Sequence, residues 1–479
     1  MAQKAGLRLT GWFLVFVSVF VVGEFAEPFV CETFAISPMD YGWNSAQTDV
    51  ERYRVLLLTH QQAVNKGEAV DYTGFETINV ELPQDARPIP LGDNTDFKGC
   101  TFHVVNNSRD CYLFEYRKSI TPLTLDKRII DGGDFSSVPE LATGRKLLII
   151  EDQNVWAKRI GYSYQAPRRD ILAIIDGQAQ NSVVYTYDTP YSNPRFFYGE
   201  VSDNEKYFGN IAFIRSESST HKTFLVHILN EENFRLSNIR VETPDSRLTG
   251  DYLMNLENLY RLSAEEISVD GTYSATDSYG YAIAMDNVAE CRFADLQGNT
   301  RWGFFGNYNI NGCTLANCHI NRFDIHCYGK DVVCRGCEFS GYYNQLSSFY
   351  GTLTYDSCTF TDFVPVLIEP SFNAFTPFSL VMTDCVWKIT PNHNFLIDCS
   401  TVTTEENVRQ ELRNQSLPTI SISNLTVHSD DVDEIGVFGE QSFSKGHPQS
   451  LYSKSGVDID AIRRNISSAR RLKIRKVLK

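Results

Sequence analysis

The 479-residue chain has no apolar run suited to crossing a membrane: the stretch at 12–22 falls short of the about 20 residues a span requires. Its body also lacks net positive charge. The formal net charge is −15, yet 463–479 carries eight basic residues and no acid, which leaves −23 on the rest. A body this acidic argues against nucleic-acid binding. The basic end reads as a solvated tail, or as a segment touching an anionic surface. A calcium site needs clustered carboxylates and Asp324 is rather isolated, so calcium is possible but unsupported and no cofactor is expected.

What is present begins with an export pattern. Lys4 and Arg8 precede the apolar run, and Val21-Val22-Gly23 offers a small-residue cleavage context. Residues 1–23 are therefore read as a signal peptide and the protein as secreted or periplasmic, with the cell surface as a further location. No stable membrane span is expected after cleavage.

A short pattern then recurs: apolar, any, polar or small, Cys or aliphatic, any, apolar. It reads Leu315-Ala316-Asn317-Cys318-His319-Ile320, then Cys334-Arg335-Gly336-Cys337-Glu338-Phe339. Tyr355-Asp356-Ser357-Cys358-Thr359-Phe360 and Met382-Thr383-Asp384-Cys385-Val386-Trp387 follow. Upstream copies centre on Cys291 and Ile239, a later one on Leu425, and Phe97-Lys98-Gly99-Cys100-Thr101-Phe102 already fits. An irregular repeat of about 20 to 30 residues marks a solenoid. Alternation puts the Cys and the apolar residue two later inside, with the residue between them outside. The residue before the Cys is Asn, Ser, Asp, Gly or Glu, types suited to a bend in left-handed or bridge conformation. Pairing runs between successive copies, so the sheets are parallel, and parallel crossovers are right-handed. The fold class is all-β, a right-handed parallel β-helix.

Twelve cysteines in an exported chain usually indicate disulfides. Here Cys291, Cys318, Cys337, Cys358 and Cys385 share one repeat position, so they are expected to stack in the core as small hydrophobes. Nothing in the spacing selects pairs. Cys334 and Cys337 form a CxxC near Cys313, Cys318, His319, His326 and Cys327, which taken alone suggests zinc. The repeat makes both inward positions, and the copies Tyr355/Cys358 and Met382/Cys385 hold no ligand pair. No metal is expected.

Residues 24–67 are read as an N-terminal cap with a helix over 44–66, capped by Thr48 or Ser45. Residues 68–428 form the β-helix, with a less regular, looped part at 146–224. Residues 429–479 are read as a C-terminal cover and basic tail.

The chain resembles the pectate-lyase-like superfamily of right-handed parallel β-helix proteins. It is particularly similar to secreted bacterial members with an Arg-Phe-Asp-any-His rung, here Arg322-Phe323-Asp324-Ile325-His326. The resemblance covers most of 68–428 and implies the fold, with a polysaccharide as partner. No Gly-His-Gly, no Asp-Asp pair in a central rung and no lyase base arrangement is identifiable, so it implies no particular reaction.

On a strand, Phe323 and Ile325 face the core, while Arg322, Asp324 and His326 share the outer face. Asp beside His suits proton transfer, and Arg322 suits an anionic sugar group. The same three residues also fit a surface salt-bridge ladder. The repeat alignment stacks Arg292, His319 and Glu338 outward, as a cleft wall or a structural ladder, and sets Tyr343 and Gln345 one rung below Asp324 and His326. Tyr343 and Trp302 are among nearby aromatics suited to sugar rings. The expected catalytic residues are Asp324, His326 and Glu338. The expected substrate-binding residues are Arg322, His319, Arg292, Tyr343 and Trp302. The expected function is glycoside hydrolysis or polysaccharide elimination; the alternative is a non-catalytic glycan-binding or surface-structural solenoid.

Overall fold

A computed structural model describes residues 35–158, 165–216, 221, 223–242, 252–270, 281–298, 303–341, 343–368, 378–399, 417–439, 457–468 and 471–478. The expected signal segment and Trp302 lie outside these residues. Among the described residues, no helix is long and apolar enough to cross a membrane.

Helix Asp49–Lys66 opens the fold. Thr48 and Glu51 form a reciprocal capping box, and Gly67 ends the helix at φ +67°. Its buried face presents Tyr53, Leu56, Thr59, His60 and Ala63 to the first rungs. His60 hydrogen-bonds the Pro90 carbonyl at 3.0 Å and the Tyr72 hydroxyl at 2.6 Å, so its buried imidazole is satisfied on both sides. The helix covers the end of the stack, as a solenoid's first rung requires.

Beyond it the chain coils as a right-handed parallel β-helix. Strand Tyr252–Tyr260 pairs in parallel with Tyr281–Ala289, that with Gly303–Ala316, and that with Phe323–Arg335. Phe349–Asp356, Phe378–Thr383 and Thr419–Ser423 continue the same series. The bends explain the repeat. Asn238, Glu290, Asn317, Gly336, Ser357, Asp384 and Asn424, each just before the repeat's Cys or aliphatic, have φ between +51° and +59°. At another bend, Asn230, Asn258, Asn287 and Asn309 also have positive φ. There Asn258 donates to Asn230 at 2.9 Å and Asn287 to Asn258 at 2.8 Å. Asn tolerates this conformation, and its amide both donates and accepts, so one residue type turns the chain and ties it to the next rung.

The ten described cysteine side chains are free and buried. Cys318, Cys337, Cys358 and Cys385 precede outward residues linked by ladders His319–Glu338–Thr359–Val386, and so form the expected column. Cys291 does not belong to it. Arg292 pairs with Thr314, which aligns Cys291 with Cys313; His319 pairs with Gln297. Each of these rungs bends twice within a few residues, at Glu290 and again at Asp295, and the two bends carry the same local pattern.

Two further expectations change. The stretch read as irregular rungs is an insertion. Strand Cys111–Arg117 pairs directly with Thr223–Glu232, and Thr101–Asn107 with Lys206–Arg215, so the stack continues as though 118–205 were absent. The insertion folds as an antiparallel sheet in the order Gln178–Ala179, Gln165–Ile175, Arg145–Lys158, Pro194–Glu200, Thr121–Leu123. It has its own core, including Phe135, Leu148, Ile150, Leu172, Ile174 and Tyr187. At the other end, rungs extend past residue 428: Leu425–His428 pairs with Ile466–Ser468, and Glu434–Gly439 with Lys473–Leu478. The basic tail thus supplies a rung, with Arg475 Nε 2.6 Å from Glu434.

One core position breaks the apolar rule. Asn307 stands in the inward column between Met285 and Ile325, fully buried, and neither amide atom has a hydrogen-bond partner among the described residues. An unsatisfied buried polar group costs about 1–3 kcal/mol. Asn307→Val should therefore raise the urea midpoint without changing the slope; a lowered midpoint would show that the amide is supported.

Candidate active site

Two polar clusters lie on the solenoid's outer face, and burial separates them. The first contains the expected triad. Arg322, Asp324 and His326 do converge, but they are 1%, 0% and 8% exposed. This corrects the expectation of an acid/base face open to solvent. Arg322 Nη2 lies 2.5 Å from Asp324 Oδ2, and the guanidinium stacks 4.6 Å above the Tyr343 ring. The Gln345 backbone N–H donates to Asp324 Oδ1 at 3.0 Å. Gln345 and Tyr343 therefore sit beside Asp324 and Arg322, two residues away from the expected register. Burial pushes the Asp324 carboxyl above its ordinary value, and Arg322 pulls against that.

The hydrogen bonds fix the protons. Arg322 only donates, so Gln345 turns its Oε1 toward it at 3.4 Å and its Nε2 toward His326 Nδ1 at 3.0 Å. His326 then carries its proton on Nε2 and donates to the Tyr281 oxygen at 2.8 Å, while the Tyr281 hydroxyl donates to Asp324 at 3.2 Å. The imidazole reaches this position through a bulge: Asn307 pairs with Ile325 and Tyr308 with Cys327, leaving His326 as the extra residue. Two glycines accommodate Tyr281. A Cβ at Gly306 would lie 2.6 Å from its ring, and one at Gly303 2.8 Å.

The remaining expected residues lie elsewhere. His319 Nδ1 is 3.2 Å from Glu338, both more than half exposed, on the ladder that continues to Thr359. Such a surface pair contributes little. Arg292 is on the ladder of Ser263 and Thr314, so the expected Arg292–His319–Glu338 stack is not formed. Glu338 and Asp324 stand on different ladders and do not form a facing pair.

The second cluster is partly exposed and was not foreseen. One outward column runs Glu115, His227, Asn255, Ala284, Gly306 through paired strands. Its neighbour runs Arg117, Leu229, Glu257, Asp286, Tyr308. His227 bridges them: Nδ1 is 3.2 Å from Glu115 and Nε2 3.2 Å from Glu257. Tyr112 stacks on the imidazole at 4.3 Å, with Phe224 4.9 Å from Tyr112.

The inserted sheet supplies the wall. Arg169, Glu151 and Arg195 are cross-strand neighbours on it. Arg169 Nη1 reaches Asp286 at 2.6 Å and Glu257 at 3.6 Å, and its Nη2 reaches Glu151 at 3.4 Å. The side chains of Glu115, Glu257, Asp286 and Arg169 are each 21–27% exposed. The signal for this row was an outward acid followed by a bend Asn, as in Glu257-Asn258 and Asp286-Asn287.

The local electrostatics separate the groups. His227 above all, then Arg117, holds Glu115 down at about 2, and His227 also lowers Glu257. Burial pulls the His227 imidazole down, but its two carboxylate partners outweigh it and hold it above its ordinary value. Burial raises Asp286, against the pull of Arg169. Neighbouring carboxyls pushed in opposite directions suit acid and base roles.

No protein-family model and no curated protein matches the chain. Solved structures do. The tailspike gp61 of Pseudomonas phage phi297 aligns with TM-score 0.52 and 11% identity over 88% of this chain and 83% of that one. The tailspike gp49 of Pseudomonas phage LKA1 aligns at TM-score 0.47 and 12% identity over 93% and 81%. The Gp54 tailspike of Acinetobacter baumannii bacteriophage AP22, solved with A. baumannii capsular saccharide, aligns at 0.47 and 10% over 92% and 77%. At these identities the likeness to the phi297 tailspike shows the fold alone, a right-handed parallel β-helix.

Two predictions follow from the clusters. Asp324→Asn leaves Arg322 buried without its counter-charge and should destabilise by about 3–5 kcal/mol in urea unfolding; an unchanged midpoint would mean the pair is open to water. For the second cluster, Glu115 is lowered on folding and His227 is raised, so the first stabilises above the ordinary Glu value of about 4.3 and the second below the ordinary His value of about 6.5. The stability difference between wild type and His227→Gln should peak between those values. It should shrink as pH falls toward about 2 and as it rises through the elevated imidazole value. A flat difference across thermal melts would discount the cluster's charges.

Proposed function

We propose that this chain is an exported polysaccharide-cleaving enzyme whose site is the Glu115–His227–Glu257–Asp286 row beneath Arg169. One observation carries the reading: neighbouring carboxyls of opposite tendency, partly exposed, lie beside an imidazole and under an arginine supplied by the second sheet. Carboxylates with one proton to give and one charge to hold are what glycosidic bond cleavage requires. The buried Arg322–Asp324–His326 cluster supports the floor from an adjacent rung instead of meeting substrate.

The test is a panel of pectate, alginate, hyaluronan, dextran and bacterial capsular polysaccharides, assayed for new reducing ends and for ultraviolet absorbance of unsaturated products. One member should be cleaved, and Glu257→Gln should lower kcat by about 10²–10⁴ while the fold is kept. Binding of a polysaccharide without cleavage would establish the non-catalytic reading. Full activity in Glu257→Gln would remove the row from the chemistry.

A further inference from the structure

The spacing of the two central carboxyls bears on the stereochemistry of the reaction, granted that the site proposed above cleaves a glycan. Glu257 and Asp286 are paired residues of neighbouring rungs. Both approach one atom, Arg169 Nη1, with Asp286 Oδ2 at 2.6 Å and Glu257 Oε1 at 3.6 Å. Those oxygens are therefore at most the sum of the two distances apart, 6.2 Å. Inverting glycosidases hold their carboxyls about 6.5–9.5 Å apart to admit a water between sugar and base, whereas retaining enzymes hold them about 5–5.5 Å apart.

We propose that the site hydrolyses its glycan with retention of anomeric configuration, Glu257 acting as nucleophile and Asp286 as acid and then base. The surroundings divide the roles. Glu257 Oε2 accepts from His227 Nε2 at 3.2 Å, an interaction that keeps the carboxylate charged and oriented. Among the described residues Asp286 has no histidine partner; Asn309 donates to its Oδ1 at 2.8 Å. Arg169 Nη1 stands between the carboxyls, where the cationic anomeric centre would lie. Entry of the sugar moves it toward Glu151, already 3.4 Å from its Nη2.

In the first step a Glu257 oxygen forms a bond to the anomeric carbon as the glycosidic C–O bond breaks. The Asp286 proton passes to the departing oxygen. In the second, Asp286 takes a proton from water, whose oxygen attacks the same carbon as the ester bond to Glu257 breaks. The net change is addition of one water across the glycosidic bond, with no redox partner.

The experiment uses the full chain and the polysaccharide cleaved in the panel, following the anomeric proton of freshly released ends by NMR. Retention predicts that the first-formed anomer has the configuration of the bond cut. The 2-deoxy-2-fluoroglycosyl fluoride of the released end sugar should add one glycosyl mass to the protein, located on the peptide bearing Glu257. Azide should restore turnover to Glu257→Ala and yield a glycosyl azide of opposite configuration. A first-formed anomer of inverted configuration overturns this inference and leaves the cleavage reading intact. An unsaturated product does the same, by elimination. If nothing in the panel is cleaved, both readings fall together.

Discussion

Every rung of this protein depends on turning the backbone at the same places as the rung before it. Residues that accept positive φ perform the turn, and Asn does so most economically because its side chain also bonds the Asn of the adjacent rung. With the bends stacked, everything between them is in register. Inward positions become columns of phenylalanine, leucine and cysteine, and outward positions become columns of whatever chemistry the sequence places there. Because each rung touches only its neighbours, a misplaced bend would shift every column beyond it by a residue or more. The outward row exists because Glu115, His227 and Glu257, widely spaced in sequence, inherit one register.

The bend signature is short and local, and this decided what was legible. The β-helix, its parallel pairing and the four-membered cysteine column could be read from it. Its ambiguity also explains the errors. Glu290-Cys291 and Asp295-Leu296 bear the same pattern five residues apart, so a one-dimensional alignment chose the wrong bend and displaced Arg292 from its true neighbour Thr314. The inserted sheet was misread for another reason. A strand's sequence encodes alternation and propensity, not whether its partner runs parallel or antiparallel, so the strands within 146–224 looked like irregular rungs. Arg169, which completes the row, arrives from that insertion and could not be placed from the repeat at all.

The two polar clusters show what alternation does and does not encode. Asp324 and Asp286 both point away from the core on the same series of strands. One is sealed beneath Tyr281, with Gly303 and Gly306 accommodating its ring; the other stays about a quarter exposed. Direction follows from the period of two, but cover depends on long-range packing. A buried Arg–Asp pair contributes little net stability, since desolvation offsets most of its attraction. Its effect is to penalise alternatives: no other register would give Arg322 a carboxylate, His326 an amide and Tyr281 a vacant glycine surface together.

The insertion links folding to chemistry. Its apolar contact with the solenoid gathers Leu147, Ile171 and Ala173 against Tyr260 and Ala289, and sets Tyr185 against Tyr328 and Tyr350. Much of the rest is polar: Arg145 to Glu232 at 2.7 Å, Arg169 to Asp286 at 2.6 Å, and the amides of Asn287, Asn309 and Asn311 to the insertion's backbone. The bend asparagines therefore have a second use, since the amides that tie rung to rung also hold the second sheet in place. Docking and site assembly are then one event. Seating the sheet brings Arg169 onto the two carboxyls. A site built this way draws its precision from the rigid stack and its access from the sheet laid over it.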